Sequence, residues 1–231
     1  MSYFQTSQSI GEIVSIMPKA GEVFKKFNID FCCGGHRPLA EAIKEQNLKE
    51  EDVLAKLEEA RRETSQLKDQ TDFTAMKNNG LIDYIVSTHH AYLNRVLPEL
   101  SDLTSTILRV HGPGHPVLFR VHKLFHNLKM ELEQHLIKEE EILFPLIRKY
   151  EAEGTEELKK KIGEVIRETE EEHEAAGDIL KELRSITEDY IVPTDGCATY
   201  SKTYKLLQEL ESDLFQHIHL ENNILFRRFE E

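Results

Sequence analysis

Two short segments carry metal-ligating residue types at the same spacing: His135-Leu136-Ile137-Lys138-Glu139 and His217-Ile218-His219-Leu220-Glu221. In each, a histidine precedes a glutamate by four residues, so a helix would stack imidazole over carboxylate on one face. Such a pair can grip one metal ion or reach two adjacent ions. A single pair on a solvated helix is ordinary surface chemistry, but here two recur, each followed by an Ile-Leu-Phe run. Imidazole with carboxylate suits iron, zinc or manganese, and two glutamates able to bridge favour a binuclear centre. The chain holds 11 histidines and no tryptophan, so what matters is which histidines can meet in space.

Meeting depends on the elements that carry them. Beyond Gly80 the apolar pattern is long and helical, interrupted at His111-Gly112-Pro113-Gly114-His115-Pro116, near Glu153-Gly154-Thr155, and at Pro193-Thr194-Asp195-Gly196. The breaks predict four helices, roughly 80–110, 116–151, 156–190 and 198–228, each antiparallel to the one before. Pro98 and Pro145 fall inside them and predict bends, with Pro98 as a true boundary in the alternative parse. His90 stands 21 residues before His111, and His135 stands 20 after His115, arms of ~30 Å each. Similar counts across the next two turns put His173 and His217 at the same height. One imidazole from each of four helices, with Glu139 and Glu221, fits a site in a bundle core.

The same measure sets other residues aside. His111 is ~30 Å along its helix from His90, and His115, His122 and His126 share that problem to varying degrees. His89 points ~100° from His90 and His219 ~200° from His217, so both read as residues behind the ligands or on the surface. Glu170, three residues before His173, is a further candidate carboxylate.

The rest of the chain bounds the function class. Lys plus Arg number 29 against 42 Asp plus Glu, a formal charge of −13, with no basic stretch, which argues against nucleic acid or an anionic membrane surface. No run of ~18 apolar residues could span a membrane, and the first residues do not form a secretory signal. Three cysteines, two of them neighbours, form no disulfide framework and suit a reducing cytoplasm. Residues 1–63 show short stripes (Ile10, Ile13, Val14 and Met17; Val23, Phe24 and Phe27) that predict a small helical domain. A polar stretch at 64–79 is the expected linker, and 80–231 the bundle, making the whole chain all-α.

Between the N-terminal stripes lies Asp30-Phe31-Cys32-Cys33-Gly34-Gly35. Its plain reading is a tight turn with partly buried thiols; its functional reading is a thiol relay in which Cys32 and Cys33 pass electrons, accept a nitrosyl group or dock iron. A disulfide between neighbours would be strained and easily reduced. Cys197 sits beside a turn with no assigned role.

With these residues in view, the C-terminal part resembles the hemerythrin-like di-iron bundles. Together with Cys-Cys-Gly-Gly, Leu97-Pro98-Glu99-Leu100, the two His-to-Glu segments and their tails, the chain resembles the repair-of-iron-centres family over nearly its full length. The resemblance implies stress-induced cytoplasmic proteins that help restore damaged iron–sulfur clusters, by supplying iron. It implies two iron ions with an oxo bridge, His90, His135, His173 and His217 as terminal ligands, and Glu139 and Glu221 as bridges. It also groups a histidine at the position of His111 with the iron site, against the arm-length argument. Oxygen-carrying hemerythrins place another histidine four residues past the third-helix ligand, where this chain has Gly177. The gap favours a more open metal position, suited to small molecules such as nitric oxide or oxygen, or to iron release. The residues leave open an iron donor, a nitric oxide reductase-type enzyme, and an oxygen or iron sensor or store. Expected partners are damaged iron–sulfur proteins, and the resemblance suggests a homodimer.

Overall fold

The computed structural model describes residues 3–64 and 71–230. Part of the linker expected at 64–79 therefore lies outside the described residues. Within them the protein is all-α, with one isolated bridge between Ser9 and Pro38. Two compact units form: residues 1–81 with 215–231, and residues 82–214.

The first unit begins with α1 (Ile10–Ile16), α2 (Ala20–Lys26), α3 (Leu39–Glu45) and α4 (Glu50–Thr64). A reciprocal cap starts α1: the Glu12 backbone N–H donates to Ser9 Oγ and the Ser9 N–H donates to the Glu12 carboxylate. Ile10, Ile13, Val14, Met17, Val23 and Phe24 are buried as the stripes predict. Phe27 is only half-buried, because α2 ends at Lys26 and Phe27 turns out of the helix. The unit also contains residues far along the chain. Phe31 meets Phe215 edge to face at 6.0 Å, and Arg228 donates to the Met76 carbonyl at 2.8 Å and to Asn78 Oδ1 at 2.7 Å.

In the second unit α6 (Ala91–His111), α7 (Val117–Lys138), α8 (Phe144–Glu153) and α9 (Glu156–Ile186) bury stripes such as Leu93, Val96, Leu97 and Leu100 or Leu124, Phe125, Leu128 and Leu132. Gly154 ends α8 at φ 61°, a conformation costly for other residues, and Thr155 Oγ1 caps α9 by accepting from the Leu158 N–H. The third helix stops at Ile186, four residues short of the expected 190. Glu188, Asp189 and Tyr190 all take positive φ, which no right-handed helix tolerates.

The start of α10 (Ala198–Leu220) ties into this unit through Lys202 to Glu99 at 2.6 Å and through a buried ion pair, Arg184 Nε to Glu211 Oε1 at 2.8 Å. α6 runs through Pro98 without interruption, so the parse that splits the helix there fails.

Three helices contain a turn that the amphipathic pattern does not reveal. α5 (Asn78–Ile85) passes into a π-helical turn at Val86–His90, α7 into one at Glu139–Leu143, and α10 into one at Glu221–Leu225. The extra residue in such a turn re-aims the side chains that follow, and each turn begins or ends on a candidate ligand. Pro145 follows the second of them, near the start of α8, where its missing N–H costs little.

Candidate metal centre

In the second unit His90 comes from the end of the first π-helical turn, His135 from the last turn of α7, Glu139 from the start of the next π-helical turn, and His173 from the middle of α9. All are buried. His90 Nε2 and His135 Nε2 each lie 3.3 Å from Glu139 Oε2, and His173 Nε2 lies 3.2 Å from His135 Nε2. Ligand atoms of His135, Glu139 and His173 all fall within 4.8 Å of one another. The level heights computed from arm lengths are thus realised for these three histidines.

Two carboxylates orient these imidazoles, and neither stands out by type or spacing in the sequence. His90 Nδ1–H donates to Glu140 Oε1 at 2.7 Å, and His135 Nδ1–H donates to Glu172 Oε2 at 2.9 Å. The His135 imidazole and then Lys138 draw the Glu172 carboxyl below its usual range. With Nδ1 carrying the proton, each imidazole turns Nε2 toward the same Glu139 oxygen, where the neutral tautomer offers a lone pair. Lone pairs and a carboxylate oxygen at this separation repel unless a proton or cation lies among them, so the donor set suits a metal ion. The neighbouring ring of Phe144, 5.7 Å from His90 and near parallel, helps keep that imidazole in place.

The first unit supplies its own pair. His217 Nε2 and Glu221 Oε1 are 3.0 Å apart, and both side chains are fully buried. The helix-face stacking expected from the four-residue spacing is therefore present in both segments. His219 is also buried, beside Ser15 Oγ at 3.4 Å and Phe31, and burial drops its pKa to about 4.

His89 is buried, with Nδ1 3.0 Å from Asp213 Oδ1, so it is not on the surface. Glu170 does not join the ligand groupings of the described residues. His111 Nε2 lies 3.2 Å from Cys197 Sγ and His115 Nε2 lies 3.0 Å from Asp195, while His122 and His126 stack on each other at 4.1 Å. Gly177 is buried one turn past His173 and brings no side chain.

The Cys-Cys-Gly-Gly turn is closed by Asp30. Its Oδ1 accepts the backbone N–H of Cys32, Cys33 and Gly34, each at 3.1 Å. Asn223, on the same π-helical turn as Glu221, donates its amide to the Phe31 and Cys32 carbonyls at 3.3 and 2.8 Å. A Cβ at Gly35 would sit 2.6 Å from the Phe31 carbonyl oxygen, so glycine is required for close approach. The thiols are free, 3.7 Å apart; a hydrogen bond to Cys33 and then burial push the Cys32 thiol well above its ordinary value.

Residues 81–229 match the model of the hemerythrin HHE cation binding domain, and residues 6–61 match ScdA_N, a domain of unknown function (DUF542). The iron-sulfur cluster repair protein ScdA of Staphylococcus haemolyticus is 30% identical over 97% of this chain and 99% of its own length. The chain belongs to the iron-sulfur cluster repair family. Within the family, the probable iron-sulfur cluster repair protein of Haemophilus influenzae is 33% identical over 99% of this chain and 98% of its own length. YtfE of Dickeya chrysanthemi is 36% identical over 96% of each chain. The resemblance read from the ligand segments and the cysteine turn is thereby borne out.

Glu140→Gln and Glu172→Gln keep the shape but weaken the charge-assisted bond that fixes each imidazole. Each is expected to lower metal affinity about 10- to 100-fold with the candidate ligands intact. Competition with a chelator measures this; unchanged affinity in both variants would mean the contacts are incidental.

Proposed function

We propose that this protein helps repair damaged iron–sulfur clusters, with two iron ions held by His90, His135, His173 and His217 as terminal ligands and by Glu139 and Glu221 as bridges. The observation that carries the reading is the convergence of His90 and His135 Nε2 on Glu139, each with Nδ1 anchored to its own carboxylate. The buried His217–Glu221 pair, the cation-binding family match and the names of the relatives support it. Iron at such a site would be a redox-active ion and a cargo for a cluster that has lost it. Glu139 supplies negative charge in an apolar surround, and Glu140 and Glu172 hold their imidazoles in the tautomer that ligates. Gly177 adds no further ligand beside His173, which favours release over tight storage. Residues 80–231 act as the metal-binding domain, with 1–63 as the domain that carries the thiols. No helix among the described residues is long and apolar enough to cross a membrane, and we place the protein in the cytoplasm.

The test is anaerobic purification, an iron count per chain, and transfer to an apo iron–sulfur protein, with a Cys32→Ser/Cys33→Ser double variant in parallel. Iron is expected to reach the acceptor from the unmodified protein. The double variant is expected to keep its iron and lose repair activity if the thiols act as a relay. Iron that never leaves, with steady consumption of nitric oxide under a reductant, would replace the donor reading with a reductase.

A further inference from the structure

The second unit contains a nucleophile that the metal reading does not use. Cys197 is exposed and lies immediately before α10, its carbonyl accepting the Ser201 N–H at 3.0 Å. Its sulfur sits 3.2 Å from His111 Nε2, and the nearby backbone N–H groups of Tyr200 and Thr199 at the helix start favour the thiolate. His111 closes α6, so two elements distant in sequence meet at this pair. Tyr200 walls the site, its ring edge-on to His111 at 5.4 Å and to His115 at 5.9 Å. His115 is engaged by Asp195 at 3.0 Å, leaving His111 as the imidazole that serves the sulfur.

We propose that Cys197 and His111 form a thiol-exchange site at which low-molecular-weight disulfides are captured as a mixed disulfide. The imidazole takes the Cys197 proton, and the backbone N–H groups at the helix start stabilise the thiolate. The thiolate attacks one sulfur of the disulfide RSSR. A bond forms between Cys197 Sγ and that sulfur as the reagent's own S–S bond breaks. The departing thiolate takes the proton held by His111 and leaves as RSH, so Cys197 is oxidised and one half of the reagent is reduced.

The assignment reverses what the sequence suggests. Cys32 and Cys33 stand out as a pair, yet Cys32 is buried and its thiol is held protonated, whereas the hydrogen bond from His111 and then the Tyr200 N–H bring Cys197 to about 7. The titratable groups around Cys197 are His111 and, one layer out, His115, Asp195 and Tyr200.

The test treats the full chain with hydroxyethyl disulfide under anaerobic conditions and maps adducts by peptide mass. At neutral pH Cys197 is expected to react at least ~10-fold faster than Cys32 or Cys33. Its rate should follow a titration centred near 7, and His111→Gln should move that centre toward the ordinary ~8.5. The thiolate fraction at pH 7 then falls ~16-fold, and the rate falls ~3-fold, because the more basic thiolate is the better nucleophile. Preferential reaction at Cys32 or Cys33 overturns the proposal. So does a centre at the ordinary value in the unaltered protein, a measurement that does not depend on any variant folding.

Discussion

Glu139→Ala is expected to strip the protein of most of its bound metal, and Glu221→Ala to do the same. Glu139 Oε2 is 3.3 Å from both His90 Nε2 and His135 Nε2, so one carboxylate serves ligands from two separate elements. On the proposed reading a carboxylate shared between two cations would offset their mutual repulsion, and its loss would leave that repulsion uncompensated in a low-dielectric surround. For the proposed two-iron site, the metal count per chain should fall from about two to well under one. A second readout separates ligand loss from misfolding. Circular dichroism and urea unfolding of the apoprotein should show the alanine variant still helical and cooperatively folded. An alanine variant that keeps two irons with an unchanged visible spectrum would refute the bridging assignment.

Arg184→Leu is expected to destabilise the fold by about 3–5 kcal/mol, the usual consequence of removing one member of a buried ion pair. Glu211 is fully buried, and Arg184 Nε lies 2.8 Å from its Oε1 with only 15% of the arginine side chain exposed. Taking the guanidinium away leaves the carboxylate in the core between α9 and α10 without its countercharge. The double variant Arg184→Leu/Glu211→Leu should recover most of the loss, because it removes both desolvation costs together. Urea unfolding of the metal-free protein measures both, and a single variant within about 1 kcal/mol of the parent would show that the pair is solvated in practice.

Periodicity and residue counting carried the architecture a long way. An apolar stripe reports a buried helix face regardless of what packs on it, which is why the helix starts near 80, 116, 156 and 198 lie within two residues of those observed. Rise per residue is equally local, so equal arms from the turns were enough to bring His90, His135 and His173 level and to set His111 aside. Four-residue spacing placed His135 over Glu139 and His217 over Glu221 for the same reason. What the sequence could not show are relations between side chains on different elements. Glu140 and Glu172 look like ordinary members of an acidic, solvated face until the helices bring His90 and His135 against them. Nothing linear connects Asn223 to the Cys32 carbonyl, His111 to Cys197 or Arg184 to Glu211. The π-helical turns belong in the same class. Such a turn costs backbone energy that local propensity does not favour, and it persists only where tertiary packing, or a metal, rewards re-aiming a side chain. Local spacing therefore determined which residues could ligate, while packing decided which atoms of those residues point at one another and which thiol stands ready to react.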